Sequence, residues 1–217
     1  MSQDLSSLTR KPERGSSDRA TLDALLDEEF VGTLATVTDD GEPWAVPLVF
    51  ARDGDRLVFH GSPGAGALRH VAAGAPVAFT LFAFDGVVVS QIPFDSSARY
   101  RSAVLRGQLT VLEGDDKIHA LDVVSERILP GRTDEVRAST SKELAGTATM
   151  ALPIVEGQWI YKENTGGPPT LEDEADAWHG VVPFARMAGV PEPASGTSAA
   201  VPPSVWKLLA AFPGPDD

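Results

Sequence analysis

The chain contains no cysteine. Disulfides, thiolate metal ligands and a cysteine nucleophile are therefore excluded. Basic runs are missing too: 18 Lys and Arg stand against 31 Asp and Glu, giving a formal net charge of −13. Neither a groove that tracks a nucleic-acid backbone nor a basic face for an anionic membrane has the residues it would need. No apolar run approaches the ~20 residues of a membrane-spanning helix, and Arg10, Lys11 and Arg14 are not followed by the apolar segment of a secretion signal. A cytoplasmic protein without nucleic-acid or membrane partners is the expectation. No His/Asp/Glu spacing makes a zinc site, and no metal is expected.

What is present suffices for a core. Of 217 residues, 42% are hydrophobic and 23% charged, which suits one domain with tails. Residues 1–17 read as a polar arm, 18–189 as the domain, and 190–217 as a Pro/Ala-rich linker ending in a short apolar segment, Val205 to Phe212.

Within the domain, Asp18 is placed to cap a helix over Arg19–Glu28, with Leu22, Leu25 and Leu26 on its buried face. Strands are predicted at Val31–Val37, Trp44–Ala51, Leu57–His60, Val77–Phe84 and Val87–Gln91. Asp39-Asp40-Gly41, Asp53-Gly54 and Asp85-Gly86 supply hairpin turn chemistry between them. Arg101–Leu112 reads as a long strand in which Gly107 marks a bulge or a close approach. A helical stripe, Ile118, Leu121, Val124 and Ile128, follows and stops at Pro130-Gly131. Thr140 and Glu143 form a candidate capping box. Strands near Thr147–Val155, Gln158–Lys162 and Trp178–Ala185 complete the pattern, with a Gly, Pro and acid-rich loop over 164–176. Many antiparallel strands with few inserted helices predict a β-barrel with peripheral helices, not a doubly wound sheet.

The stretch 57–74 stands out because a strand runs straight into a helix. Ser62 suits an N-cap, Pro63 the first helical position and Gly74 a left-handed end. Unpaired N–H groups and the glycines at 64 and 66 would admit a phosphate; an ordinary strand-to-helix connection explains the same residues.

Taken in order, these segments resemble the FMN-binding split barrel of the pyridoxamine 5'-phosphate oxidase-like proteins. The branch is that of small actinobacterial flavin-nucleotide-binding proteins related to nitroimidazole-resistance proteins. The resemblance rests on Pro12-Glu13-Arg14-Gly15 with Asp18-Arg19-Ala20-Thr21, on Leu26-Asp27-Glu28, and on Asp53-Gly54-Asp55-Arg56-Leu57 leading to His60-Gly61-Ser62-Pro63. It continues through Asp85-Gly86, Tyr100-Arg101-Ser102, Arg106-Gly107, Leu129-Pro130-Gly131-Arg132, Glu143-Leu144-Ala145 and Trp178-His179-Gly180-Val181.

It implies a mainly β (α+β) fold, an antiparallel split β-barrel with a few peripheral helices, and a homodimer holding FMN at its interface. The flavin ring would lie along Val46–Phe50, with Pro47, Leu48 and Val49 as contacts. The phosphate would sit near His60, Gly61, Ser62 and Arg69. Read from the residues themselves, Arg99, which stands where relatives have an uncharged residue, Tyr100 and Trp178 are further cofactor-binding candidates; packing explains Tyr100 and Trp178 equally. His60 is also the catalytic candidate, as acid, base or haem ligand. An oxidoreductase acting on a small molecule follows from the resemblance.

Several positions depart from it. Relatives carry Ser-Arg at Ala65-Gly66, Arg at Gln91, His-His at Asp95-Ser96 and a tyrosine at Ser17. Phosphate ligands are thus lost, with Arg69, Arg99 and Arg101 as the available replacements. Two alternatives stay open: an enzyme on the same fold using haem, a deazaflavin or no cofactor, and a non-catalytic ligand-binding or interaction protein.

Overall fold

The structure is a computed structural model, and it describes residues 10–62, 64, 66–172 and 177–212. The candidate positions Pro63 and Ala65, the acidic residues 173–176 and both chain ends lie outside the described residues.

A two-residue strand β1 (Gly15–Ser16) leads into α1 (Arg19–Glu28). Asp18 caps α1 by accepting a hydrogen bond from the Ala20 N–H, 3.0 Å away. Such a cap contributes about 1 kcal/mol. Leu22, Leu25 and Leu26 are fully buried against the barrel, as their spacing predicts.

Strands β2 (Val31–Val37), β3 (Pro43–Asp53) and β4 (Arg56–Gly61) follow, then α2 (Gly66–Ala72) and the long β5 (Pro76–Val89). After β5 come β6 (Ser97–Gln108), β7 (Thr110–Val111), α3 (Gly114–Ile128), α4 (Ser141–Ala145), β8 (Ala148–Pro153), β9 (Trp159–Asn164), β10 (Gly180–Pro183) and α5 (Pro203–Ala210). The strands pair antiparallel in the order β1-β9-β6-β5-β2-β3-β4-β8-β7, and β10 adds to β5. The sheet curls around one main core that includes Phe50, Phe59 and Phe79, with Phe79 edge-on to both of the others at 5.0 and 5.1 Å. Gly32 makes room for that ring: a Cβ there would stand 2.2 Å from Phe79 Cζ.

Four expectations are corrected. Asp85-Gly86 is not a hairpin turn. The segments expected as Val77–Phe84 and Val87–Gln91 form one strand, β5, which stays paired with β6 on both sides of a bulge between Phe84 and Gly86. The bulge is possible because Gly86 has φ +150° and sits against the Val182 carbonyl, 2.4 Å from where a Cβ would be.

Second, Ser62 does not cap α2. The helix begins at Gly66, and the Ser62 hydroxyl accepts from the Gly64 N–H instead. Gly74 does end that segment with φ +95°.

Third, the stripe on α3 is rotated. Ala120 and Val124 are buried with Ala51, Val58, Leu112 and Ala151, whereas Ile118 and Ile128 are 42% and 40% exposed. Fourth, the long strand expected over Arg101–Leu112 starts earlier and is broken: β6 stops at Gln108, and β7 turns away to pair with β8. Gly107 marks a close approach, its absent Cβ lying 3.0 Å from Leu152 Cδ1. The capping box at Thr140 and Glu143 is formed as expected, each side chain bonding the other residue's backbone.

Candidate functional site

The β3–β4 ladder runs from Asp53↔Arg56 to Phe50↔Phe59 and ends there. Continued in register, it would set Val49 opposite His60 and Leu48 opposite Gly61. Instead β3 pairs on its other edge with β2, matching Val49 to Val31 and Pro47 to Thr33. His60 and Gly61 pair away from the split with Thr149 and Ala148 of β8. A wedge opens between Pro47-Leu48-Val49 and His60-Gly61, with Ser62 following at its mouth. Backbone polar groups on the facing edges of this wedge lie outside the ladder, available to a flat heterocycle.

Alternation assigns the side chains to two faces. Leu48 packs toward the main core, and Gly61 faces the same way. The missing side chain of Gly61 gives Leu68 its place: a Cβ would meet Leu68 Cδ1 at 2.5 Å. Val49 and His60 lie on the outer face with Val58 and Ala151, where α3 covers part of the sheet. His60 is exposed. Among the described residues it is the one histidine without a side-chain hydrogen bond or ion pair. His70 meets the Val37 carbonyl at 2.8 Å, His119 meets Asp53 at 3.2 Å, and His179 meets the Ala177 carbonyl at 3.2 Å.

Beyond α3 the outer face exposes Val31, Phe82 and Phe84 among the described residues. Val31, Gly32, Thr33, Thr80, Leu81 and Phe82 line a groove of about 220 Å³ beside Pro47 and Val49. Phe82 stacks on Tyr100 at 5.6 Å and on Phe84 at 6.2 Å. Phe82 and Phe84 are 54% and 46% exposed, so this row of near-parallel rings is a platform open to a planar partner. The sequence carried its signal in the alternation Thr80, Phe82, Phe84, which puts two aromatics on the solvent side of β5.

The remaining candidates divide. Arg69 is exposed on α2, the residue after Leu68, whose side chain packs at Gly61. Arg99 faces Gly86 across the β5–β6 ladder, beside the bulge. Trp178, 67% exposed, lies against Gly180 near the Arg99 end.

Arg101, a candidate replacement cation, is committed elsewhere. It donates to Asp85 at 2.9 and 2.7 Å and to both oxygens of Glu28. These bonds raise the Arg101 pKa above its ordinary value and hold the Glu28 and Asp85 carboxyls below theirs. Gln91, where relatives have arginine, bonds the Leu171 backbone through both its amide atoms, at 2.8 and 3.3 Å, and fixes the 164–172 loop.

A second cavity, of about 390 Å³, lies where α1, the β5 bulge and the C-terminal segment meet. Glu28, Phe84, Asp85, Phe184, Arg186 and Phe212 are its principal walls. None of its C-terminal residues was singled out from the sequence as a site residue. The segment is anchored by Arg186 on the buried Glu29, by Phe212 against Phe30 at 5.7 Å, and by Ser204 on Glu135 at 2.6 Å.

A curled, unclosed antiparallel sheet with a split between β3 and β4 defines a split-barrel protein. The family model of pyridoxamine 5'-phosphate oxidase matches residues 18–159, and the chain belongs to that family. Among solved structures it is similar to the FAD and haem binding protein from Mycobacterium smegmatis, with 44% identity, a TM-score of 0.87, and coverage of 90% of this chain and 97% of that one. It shares its fold with the flavocytochrome Anf3 from Azotobacter vinelandii at 24% identity, a TM-score of 0.86 and coverage of 94% and 96%. A 5-nitroimidazole antibiotic resistance protein of Bacteroides thetaiotaomicron, described as putative, matches at 20% identity and a TM-score of 0.57, covering 68% of this chain and 85% of that one. No curated protein matches. Among the described residues no helix is long and apolar enough to cross a membrane, and no group of His, Asp and Glu is disposed to hold a metal ion.

Proposed function

We propose that this chain is a flavin-binding redox protein that acts on a small molecule, with the flavin ring over the β3–β4 split and the adjoining outer groove. The observation that carries the reading is the end of the ladder at Phe50↔Phe59, which opens an unpaired backbone edge beside the bare groove and the Phe82–Tyr100 platform. The 44% identity to a chain described as binding FAD and haem supports it.

The residues fit a flavin ring. On the wedge side Val49 offers its N–H and C=O and Pro47 its C=O alone, because Leu48 and Phe50 turn their backbone groups to β2, and the aromatic row supplies a flat apolar surface. When bound, a flavin supplies one- and two-electron transfer. This chain's residues hold and orient it, and exposed His60 is placed at the lip to give or take a proton.

The apolar outer face also supports a homodimer. Val31, Phe82 and Phe84 are each about half exposed on one continuous sheet face. A second copy laid over it would bury that surface and exclude water from the ring.

The absorption spectrum of the purified protein, alone and with added flavin, tests the reading. Saturable binding with quenched flavin fluorescence is the expected result. No binding of FMN or FAD at micromolar concentration overturns it.

Haem is a second reading, favoured by the unbonded His60 imidazole and by the description of the 44% identical chain. It predicts a Soret band that is lost in His60→Ala.

A further inference from the structure

We infer that the cavity between α1, the β5 bulge and the C-terminal segment seats the adenosine half of a dinucleotide flavin, with the pyrophosphate at Arg99 and Arg186. The inference rests on the flavin reading above and specifies which flavin the chain takes.

Phe84 joins the two sites. It stacks with Phe82 on the outer platform and meets Phe184 edge-on at 5.3 Å inside the cavity. From the lip at Val49, register crosses to Val31 of β2, which faces Phe82 of β5 across the outer groove. A ligand laid along this row reaches Phe84 and the cavity mouth without leaving the surface. At about 390 Å³ the cavity falls in the range of small-ligand pockets.

Its chemistry suits a purine. Phe84, Phe184 and Phe212 provide aromatic faces. Each oxygen of Glu28 and Asp85 takes one hydrogen bond from Arg101, which leaves a second lone pair on each to accept from an exocyclic amine. Arg186 is half exposed and bonds Glu29 through one nitrogen, so its other donors face outward. Arg99 stands opposite Gly86 beside the bulge. The cations expected at residues 65–66 and 91 are absent, whereas this end of the sheet has two. No histidine lines the cavity, so it offers haem no axial nitrogen.

The cavity's outer wall, Phe184, Ala185, Arg186, Ala211 and Phe212, lies beyond residue 159, where the family model ends. A chain ending near that point would lack the wall, which ties the adenosine seat to the C-terminal segment.

The test is parallel titration of the full-length, flavin-free protein with FAD, FMN and AMP, followed by fluorescence quenching and calorimetry. FAD should bind about 10- to 100-fold more tightly than FMN, the gain expected from ring stacking plus one or two charge-assisted hydrogen bonds. AMP, the half of FAD that FMN lacks, should compete with FAD and leave FMN binding unchanged. Ala211→Trp, which fills the cavity, should bring FAD affinity to the FMN level without altering FMN binding; circular dichroism checks its fold. Phe184→Leu, which keeps the apolar wall but removes a ring, should give an intermediate loss. Equal affinity for FAD and FMN, or a preference that survives Ala211→Trp, overturns the adenosine seat and leaves the flavin cleft standing. Failure of both flavins to bind overturns the flavin reading and the seat together.

Discussion

Arg101 of β6 grips Asp85 of the β5 bulge through two parallel hydrogen bonds, 2.9 and 2.7 Å long, and carries Glu28 of α1 on its remaining edge. One guanidinium thus ties the helix, the bulge and the sheet together, although the sequence offered it as a replacement phosphate ligand. Arg101→Met removes the tie and leaves two carboxylates facing each other. The pair is partly solvated, so a loss of about 1 to 2 kcal/mol is expected, less than for a fully buried bridge. Urea denaturation measures it; an unchanged midpoint would show that the cluster contributes nothing to stability.

The same cluster sets an acid limit. Hydrogen bonds from Arg101 lower the pKa of both Glu28 and Asp85 in the folded chain. Carboxylates depressed by folding add stability above their unfolded values, about 4.3 and 3.9, and that contribution is lost as pH falls through the folded values. Stability should therefore decline below about pH 4. In Arg101→Met the decline attributable to this pair should flatten. Midpoints measured between about pH 3 and 6 for both proteins decide it, and parallel curves would count against the pair.

Much of this architecture was written locally. The Asp18 cap, the Leu22/Leu25/Leu26 face and the Thr140–Glu143 box depend on neighbours within four residues, and all three stand as their sequences predict. What failed depended on distant partners. Asp85-Gly86 has hairpin chemistry, but β6 runs alongside and β10 arrives some 95 residues later to fill the edge, turning a predicted hairpin into a bulge. The site shows the same division. The strand-to-helix passage at His60 was visible, whereas the cavity needs α1, β5 and a segment around Phe212 to meet, which no local pattern encodes.

Gly86 carries that long-range requirement in one residue. Gly86→Ala would place a methyl 2.4 Å from the Val182 carbonyl at φ +150°. Strain and displacement together should cost about 2 to 4 kcal/mol. Because β10 is the short partner, hydrogen exchange should rise first at Val182 and at Phe184, whose N–H donates to the Asp85 carbonyl at 3.0 Å. Exchange rising uniformly across the barrel would show that the bulge is not the weak point.

The outer face makes a separate prediction. Phe82 is 54% exposed between Phe84 and Tyr100. Phe82→Asp would place a carboxylate where a second copy is proposed to sit, at little cost to the monomer because the side chain already faces solvent. Analytical ultracentrifugation should find a dimer in the parent and a monomer in the variant, with flavin binding weakened in parallel. A variant that remains dimeric would move the interface to another face.

Glu29 and Arg186 decide how firmly the C-terminal segment is held. Glu29 is 5% exposed, and its carboxylate is bonded to Arg186, a residue 157 positions away. Arg127 lies nearby, donating to the Glu29 backbone carbonyl at 3.3 Å and covering the Phe30 ring at 4.0 Å. Arg186→Gln leaves a buried carboxylate with only Arg127 to offset it. The loss should be about 1 to 3 kcal/mol, below the fully buried case because Arg186 itself is half exposed. Glu29→Gln removes the stranded charge, so the double variant should recover part of that loss, and the coupling read from the cycle isolates the pair. The β10–α5 segment should also become more susceptible to proteolysis in Arg186→Gln while the barrel resists. Additive single effects, or cleavage unchanged from the parent, would mean that Phe212 on Phe30 and Ser204 on Glu135 hold the segment without the ion pair.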